Sequence, residues 1–293
     1  MSDDARVRLE PGLVRLRAAN PSPMTGPGTN SYVLGRDRLL VLDPGPAEDG
    51  HLAALLTEID GRPVEAILVT HAHRDHSALA PALAEATGAP ICGFGTAHAG
   101  RSPLMRRLAE AGLGGGEGLD AAFRPDRILR EGERIGAGGT PVTALHMPGH
   151  MAGHLCFVWR GAVFSGDLVM GWASTLISPP DGDLAAFRRS CARLRALQPR
   201  RLYPGHGAPV DRPAPRIDWL LSHRAEREAQ IVRVLSKGPA DAGEITRLLY
   251  ADIPAELQGA ARRNVLAHLL DLMSRNRAIA ETPGLAEARF KLT

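Results

Sequence analysis

The sequence has no run of about 18 consecutive apolar residues, so it offers no membrane-spanning helix. Its N-terminus, Met-Ser-Asp-Asp-Ala-Arg, is charged with no apolar stretch behind it, which does not fit a secretory leader and leads to the expectation of a cytoplasmic protein. Cysteine is scarce. Cys92, Cys156 and Cys191 stand far apart without a CxxC pair, which argues against a disulfide framework and suits buried thiols in a reducing compartment. Aromatic residues make up only 4% of the chain, few for a surface that stacks nucleobases. Lysine occurs only at Lys237 and Lys291, so the 35 basic residues are nearly all arginine; against 32 acidic ones they leave a net charge of +3, too mild to name a partner. A GxSxG motif is absent, which argues against a serine nucleophile.

What is present is an ordinary globular composition, 44% hydrophobic and 23% charged, in a chain of 293 residues, a length that suggests about two domains. Short apolar runs bounded by Gly, Pro or Asp predict strands at Ser31–Leu34, Leu39–Leu42, Ala66–Val69, Val142–Leu145, Leu155–Trp159, Ala162–Phe164 and Arg201–Tyr203. Helical patterns lie between them at Glu48–Ile59, Ser77–Ala86, Pro103–Ala111 and Asp183–Ala196. This is an α/β layout with mixed sheets. Two glycine-rich stretches, Asn20–Asn30 and Gly112–Gly118, read as mobile loops. At Asp211–Pro215 the sequence DRPAP reads as a boundary, giving domains at 1–212 and 213–293. Beyond it the pattern is helix (Ile217–Leu235), helix (Ala242–Tyr250), helix (Ala255–Ser274) and a hairpin (Ala278–Glu281 with Ala286–Lys291), the order of a winged helix. For two such semi-independent units, removing the chain after Asp211 should alter substrate affinity more than metal content.

The chemistry concentrates at Thr70-His71-Ala72-His73-Arg74-Asp75-His76, where three histidines and an aspartate crowd the turn after a predicted strand. More ligand types follow at later strand ends: His150 in Met147-Pro148-Gly149-His150, Asp167 in Ser165-Gly166-Asp167, and His206 in Pro204-Gly205-His206-Gly207. In each, a small residue permits a tight turn that presents an imidazole or carboxylate. Such ligands without thiolate suit zinc, and iron or manganese less decisively.

HAHRDH, PGH, SGD and PGHG, in this order, resemble the metallo-β-lactamase fold hydrolases over about residues 10 to 210, and Leu42-Asp43-Pro44-Gly45 matches that family's early Asp-containing turn. The resemblance implies a four-layer αββα sandwich with two metals at the edge between its sheets. Carried over by position, it implies that His71, His73 and His150 hold one metal, that Asp75, His76 and His206 hold the other, and that Asp167 bridges them. Asp43 would orient a ligand. The implied cofactor is two Zn2+, with Fe or Mn as alternatives. The implied reaction is hydrolysis by a metal-bridging hydroxide, with Asp75, Asp167 and His154 in catalytic roles. For His154, four residues beyond His150, orienting a neighbour weighs more than donating a proton.

Asn20–Gly35 and the C-terminal HRAEREAQI followed by the winged-helix pattern narrow the resemblance to the β-lactamase-like protein 2 subgroup. That neighbourhood includes thioesterases and single-stranded RNA endoribonucleases, so the implied substrate is an ester, a small acyl thioester or a phosphodiester of single-stranded RNA. An acyl substrate would use an apolar lining such as Met170, Trp172 and Ile177, with Asn30 and Tyr32 facing the cleft. RNA would use Arg101, Arg106 and Arg107, with Arg262 and Arg263 in the winged helix. The 13 basic and 11 acidic residues of 211–293 argue against a dedicated DNA reader and leave the winged helix to cover the cleft or form a homodimer contact. A nucleic-acid-binding protein with a vestigial metal site is the alternative from another class, and complete ligand motifs speak against it.

Overall fold

The computed structural model describes residues 5–116, 118–136, 141–281, 284–285 and 287–293. Two sheets face each other. The first runs β1 (Arg6–Glu10), β2 (Leu13–Arg17), β3 (Asn30–Gly35), β4 (Leu39–Leu42), β5 (Val64–Leu68), β6 (Ile91–Gly93), β7 (Arg127–Ile128), antiparallel up to β4 and parallel beyond it. The second contains β8 (Arg134–Ile135), β9 (Val142–His146), β10 (Leu155–Trp159), β11 (Ala162–Gly166) and β12 (Leu202–Pro204) in the order β12-β11-β10-β9-β8, with only the β11–β12 pair parallel.

Side-chain alternation makes the layers. In β4, Leu40 and Leu42 join Phe157, Trp159 and Phe164 between the sheets. Its Leu39 and Val41 point outward to α1 (Asp49–Ile59) and α3 (Ala80–Thr87), where Leu55, Ile59 and Leu83 cover them. On the other side, Cys156 and Val163 pack under Phe187 and Leu194 of α5 (Leu184–Ala196). The result is the expected four-layer αββα sandwich, and the three cysteines are free and buried within it.

The C-terminal part comprises α6 (Pro213–Leu235), α7 (Ala242–Leu249), α8 (Gln258–Ser274) and the hairpin β13 (Ala278–Ala280) and β14 (Phe290–Leu292), a winged helix. A capping box between Asp241 and Glu244 starts α7. This part does not stand apart. Ile217, Leu220 and Ala267 belong to the core under α5, and Met105 and Leu108 of α4 (Pro103–Glu110) belong to the winged-helix core. Arg188 on α5 also pairs with Glu228 and Asp271.

Several expectations shift. The helix predicted over 77–86 runs from Ala80 to Thr87 (α3), and a separate single turn α2 (Arg74–Ser77), capped by His73, precedes it and carries Asp75 and His76. DRPAP is less a linker than a helix start: Pro213 opens α6, where a missing N–H costs nothing. β1 and β2, where arginines alternate with apolar residues in the manner of a strand with one polar face, lie outside the predicted set, which follows continuous apolar runs, and β6 to β8 are very short. The expected hairpin reaches residues 283 and 286, outside the described set, as is Glu117 of the second glycine-rich stretch.

Candidate metal centre

The ligand-type residues lie beyond the ends of β5, β9, β11 and β12, and their side chains meet at one point. Among the described residues, three overlapping sets have their ligand atoms within 4.8 Å of one another: His71, His73 and His150; His71, His76 and Asp167; and Asp75, His76 and His206. His73 Nδ1 lies 3.0 Å from both His71 Nε2 and His150 Nε2. His206 Nε2 lies 3.3 Å from Asp75 Oδ2 and from Asp167 Oδ2. A tetrahedral ion with bonds of about 2.0–2.1 Å holds its ligand atoms about 3.3 Å apart, so these spacings fit a metal.

The outer ring nitrogens are anchored, which turns the inner ones toward the centre. Asp43 is fully buried and accepts from Thr70 N at 2.7 Å, from Thr70 Oγ1 at 2.8 Å and from His76 Nδ1 at 3.0 Å. With the Thr70 proton committed to Asp43, its oxygen accepts from His71 Nδ1 at 2.9 Å. His150 Nδ1 donates to Leu176 O at 2.8 Å, and His206 Nδ1 to Gly28 O at 3.3 Å. By contrast, His76 Nε2 and Asp167 Oδ1 are buried without a hydrogen bond, both at the point of convergence. They lie 3.5 Å apart as an ion pair without a hydrogen bond, and a cation between them would satisfy both. Close approach here requires glycine at 205, where a Cβ would sit 2.5 Å from Asp167 Oδ1.

The two halves differ electrostatically. Burial and the neighbouring imidazoles hold His71 well below its ordinary pKa of 6.5, and burial with His150 pushes His73 down to about 3, so both are neutral donors. For His76, burial opposes the charge, but Asp75, Asp167 and Asp43 outweigh it and raise the pKa well above 6.5. His206 is raised to about 9, its burial overcome by Asp167 and Asp75. Asp167 stays ionised because His206 and His76 more than offset the cost of its burial.

His154 is buried. Its Nε2 accepts from the Asp167 backbone N–H at 3.2 Å, and its ring stacks on His71 with centroids 5.1 Å apart. The expected cleft lining divides. Met170 and Ile177 are buried, whereas Trp172 is 45% exposed. Trp172 rests on glycine: a Cβ at Gly207 would be 2.7 Å from its ring and one at Gly26 3.1 Å away. Asn30 and Tyr32 do not face the cleft. Asn30 Nδ2 donates to Pro204 O and Gly207 O, and Tyr32 lies between the sheets with its hydroxyl on Pro204 O. Of the arginines, Arg101 pairs with Asp181, Arg262 with Glu287, and Arg263 donates to Gly114 O, Ser178 Oγ and Pro179 O. Arg106 and Arg107 are exposed.

Sequence reading missed Thr29, which donates to Asp75, and Thr175, whose hydroxyl lies 3.0 Å from Asp167 O. It also missed Arg224 and Asn264 behind Thr175.

The sequence profile of the metallo-beta-lactamase superfamily matches residues 24–206, and that of the beta-lactamase associated winged helix domain matches 242–283. A beta-lactamase-like protein 2 homolog of Drosophila melanogaster is 29% identical, over 92% of this chain and 90% of the relative. An atrochrysone carboxyl ACP thioesterase of Aspergillus fumigatus is 27% identical, over 92% of this chain and 84% of its own. A metallo-beta-lactamase family protein of Thermus thermophilus superposes with a TM-score of 0.78 at 25% identity, covering 98% of this chain and all of the other.

Proposed function

The chain belongs to the metallo-beta-lactamase superfamily and is a hydrolase of that fold; from this premise we propose that it is a two-zinc hydrolase of acyl thioesters. The observation that carries the metal reading is the convergence of His71, His73, His150, Asp75, His76, His206 and Asp167 on a point where His76 Nε2 and Asp167 Oδ1 are buried without a hydrogen bond. When bound, two divalent cations supply a water that ionises near neutral pH and positive charge for the developing oxyanion.

The chain's own part is orientation. His71, His73 and His150 form one set, Asp75, His76 and His206 the other, and Asp167 lies between them. Asp43 and Thr70 hold His71 and His76 in the required tautomers. His154 orients Asp167 through its backbone N–H instead of donating a proton to a leaving group, since it is buried and its Nε2 is engaged there. Trp172 offers an apolar seat for the acyl chain beside His206, with Gly207 beneath the ring. The thioester reading rests on this seat and on the thioesterase among the relatives. The commitment of Arg101, Arg262 and Arg263 to partners within the chain leaves fewer cations for a phosphodiester backbone. We place the protein in the cytoplasm on the same footing; no helix among the described residues is long and apolar enough to cross a membrane.

A paired turnover assay tests this, with zinc-loaded protein acting on an acyl thioester and on single-stranded RNA and with Asp167→Asn as control. Thioester turnover reduced more than about a hundredfold in the variant, with RNA intact, is the expected result. RNA cleavage that is lost in the variant and weakens with salt would replace the thioester by a nucleic acid, and wild-type rates in the variant would overturn the metal assignment.

A further inference from the structure

The segment 175–177 follows the turn that carries Asp167 and is held from two sides. Toward the metal centre, the Thr175 hydroxyl lies 3.0 Å from Asp167 O and 2.9 Å from Leu168 O and donates to that pair. Leu176 O accepts from His150 Nδ1 at 2.8 Å. Toward the C-terminal helices, Arg224 of α6 donates through Nη2 to Thr175 O and through Nη1 to Asn264 Oδ1 of α8 at 3.2 Å. The same Asn264 oxygen accepts from Ile177 N at 3.0 Å. Arg263, next to it on α8, continues the attachment to Ser178 Oγ and Pro179 O. Three consecutive residues therefore face the centre through Thr175 Oγ1 and Leu176 O and face the C-terminal helices through Thr175 O and Ile177 N.

A strap fastened at both sides fixes two things a metal site needs. The Leu176 carbonyl selects the His150 tautomer that leaves Nε2 free, and Thr175 fixes the turn that aims the Asp167 carboxylate. Arg224 is only 1% exposed and its guanidinium sits 5.7 Å from the Phe187 ring centre, so its position is set by packing and not by solvent. We infer that Asn264 and Arg224 are positioning residues of the metal centre, and that the C-terminal helices complete the site of the hydrolase fold by fixing His150 and Asp167 through residues 175–177. This rests on the metal reading above. It also reverses the expectation that the part after Asp211 matters less for metal content than for substrate affinity.

The test uses the full chain, stripped of metal and reloaded, with zinc affinity read by competition against a chromophoric chelator and geometry read from the absorption bands of the Co2+ form. Asn264→Leu removes the shared acceptor from a half-buried position, and Asn264→Asp restores one. Asn264→Leu should weaken metal affinity about tenfold and shift the Co2+ bands, while Asn264→Asp stays near wild type. Should Asn264→Leu fail to fold, Thr175→Val reads the strap on its inner side, where the hydroxyl holds Asp167 O and Leu168 O, with an isosteric side chain, and should show the same losses. Glu228→Gln loosens the contacts to Arg188, Arg275 and Arg277 elsewhere in the interface, and should lower the melting temperature without moving affinity or spectrum. Wild-type affinity and bands in a folded Asn264→Leu or Thr175→Val, or an equal loss in Glu228→Gln, would overturn the inference. His150→Ala separates the two readings. Wild-type uptake lost in His150→Ala but kept in Asn264→Leu sinks only the strap, whereas a wild type that takes up no metal sinks the metal reading and the strap with it.

Discussion

Thr29 donates its hydroxyl to Asp75 Oδ2 at 3.1 Å across 46 residues of sequence, which ties a glycine-rich loop to a proposed metal ligand. The loop is built for the contact. Asn20 accepts from Thr29 N at 2.9 Å and donates to Thr29 Oγ1 at 3.0 Å, leaving the threonine proton for the carboxylate. The loop expected to be mobile is thus pinned beside the site, with Asn30 N on Gly205 O as a further anchor next to His206.

Thr29→Val keeps the shape and removes this hydrogen bond. Affinity for the metal assigned by our proposal to Asp75, His76 and His206 should fall about tenfold, and that of the set of His71, His73 and His150 should change little. Stepwise chelator titration resolves the two equivalents. Equal weakening of both would show that Thr29 acts on the fold as a whole instead of on Asp75.

How much of this was legible follows from distance along the chain. HAHRDH was readable because four residues of ligand type fall within six positions, and the strands that present His150, Asp167 and His206 carry short apolar runs ending in small residues. The apolar runs by themselves gave an α/β layout with mixed sheets, and the four-layer sandwich came from the resemblance that the motifs carry; strands apolar on both faces, such as β4, agree with it. The partners of the ligands were not readable. Thr29 with Asp75, Asn264 with Ile177 and Arg224 with Thr175 join residues 46, 87 and 49 positions apart, and nothing local distinguishes those side chains from surface polar ones. Trp172 was ambiguous for another reason: its exposure depends on Gly26 and Gly207 lying under one side of the ring, which no periodicity encodes.

Trp172 supplies a prediction on substrate. An indole seated on two glycines is held in place before an acyl chain arrives, and covering it is worth about 1.5–3 kcal/mol for a large apolar group. Trp172→Ala should raise KM for a long or aromatic acyl thioester about tenfold and leave an acetyl thioester within about twofold. Measuring both substrates with the same preparation decides the point, because a uniform fall in kcat would mean that the residue supports the centre and not the acyl chain.

Metal uptake should release protons at neutral pH. His76, raised well above 6.5, and His206, raised to about 9, are protonated in the metal-free protein at pH 7, and a metal takes only the neutral ring. Affinity should therefore climb as pH rises toward about 9, with about two protons released from these rings at pH 7 in addition to the one lost by the bound water as it ionises. Calorimetry in two buffers of different ionisation enthalpy counts them. Uptake with no proton release at pH 7 would place His76 and His206 outside the ligand set.

His268 sets an acid limit on stability. It is buried on α8 with neither ring nitrogen hydrogen-bonded, and burial together with Arg224, Arg188, Arg227 and His223 holds its pKa well below 6.5. A histidine kept neutral when folded but free to protonate when unfolded gives the unfolded state the extra proton. Its contribution to stability is therefore full above about pH 6.5 and declines below it, by up to about 1.4 kcal/mol per pH unit. His268→Leu removes both unpaired nitrogens and this proton linkage, so it should cost little at pH 8 and melt at a higher temperature than wild type at pH 5. Thermal melts of the two proteins from pH 5 to 8 give the comparison: curves that diverge toward acid locate the linkage at His268, and parallel curves would assign acid sensitivity to other groups, with Glu228, lowered against burial by Arg275 and Arg188, the first to substitute.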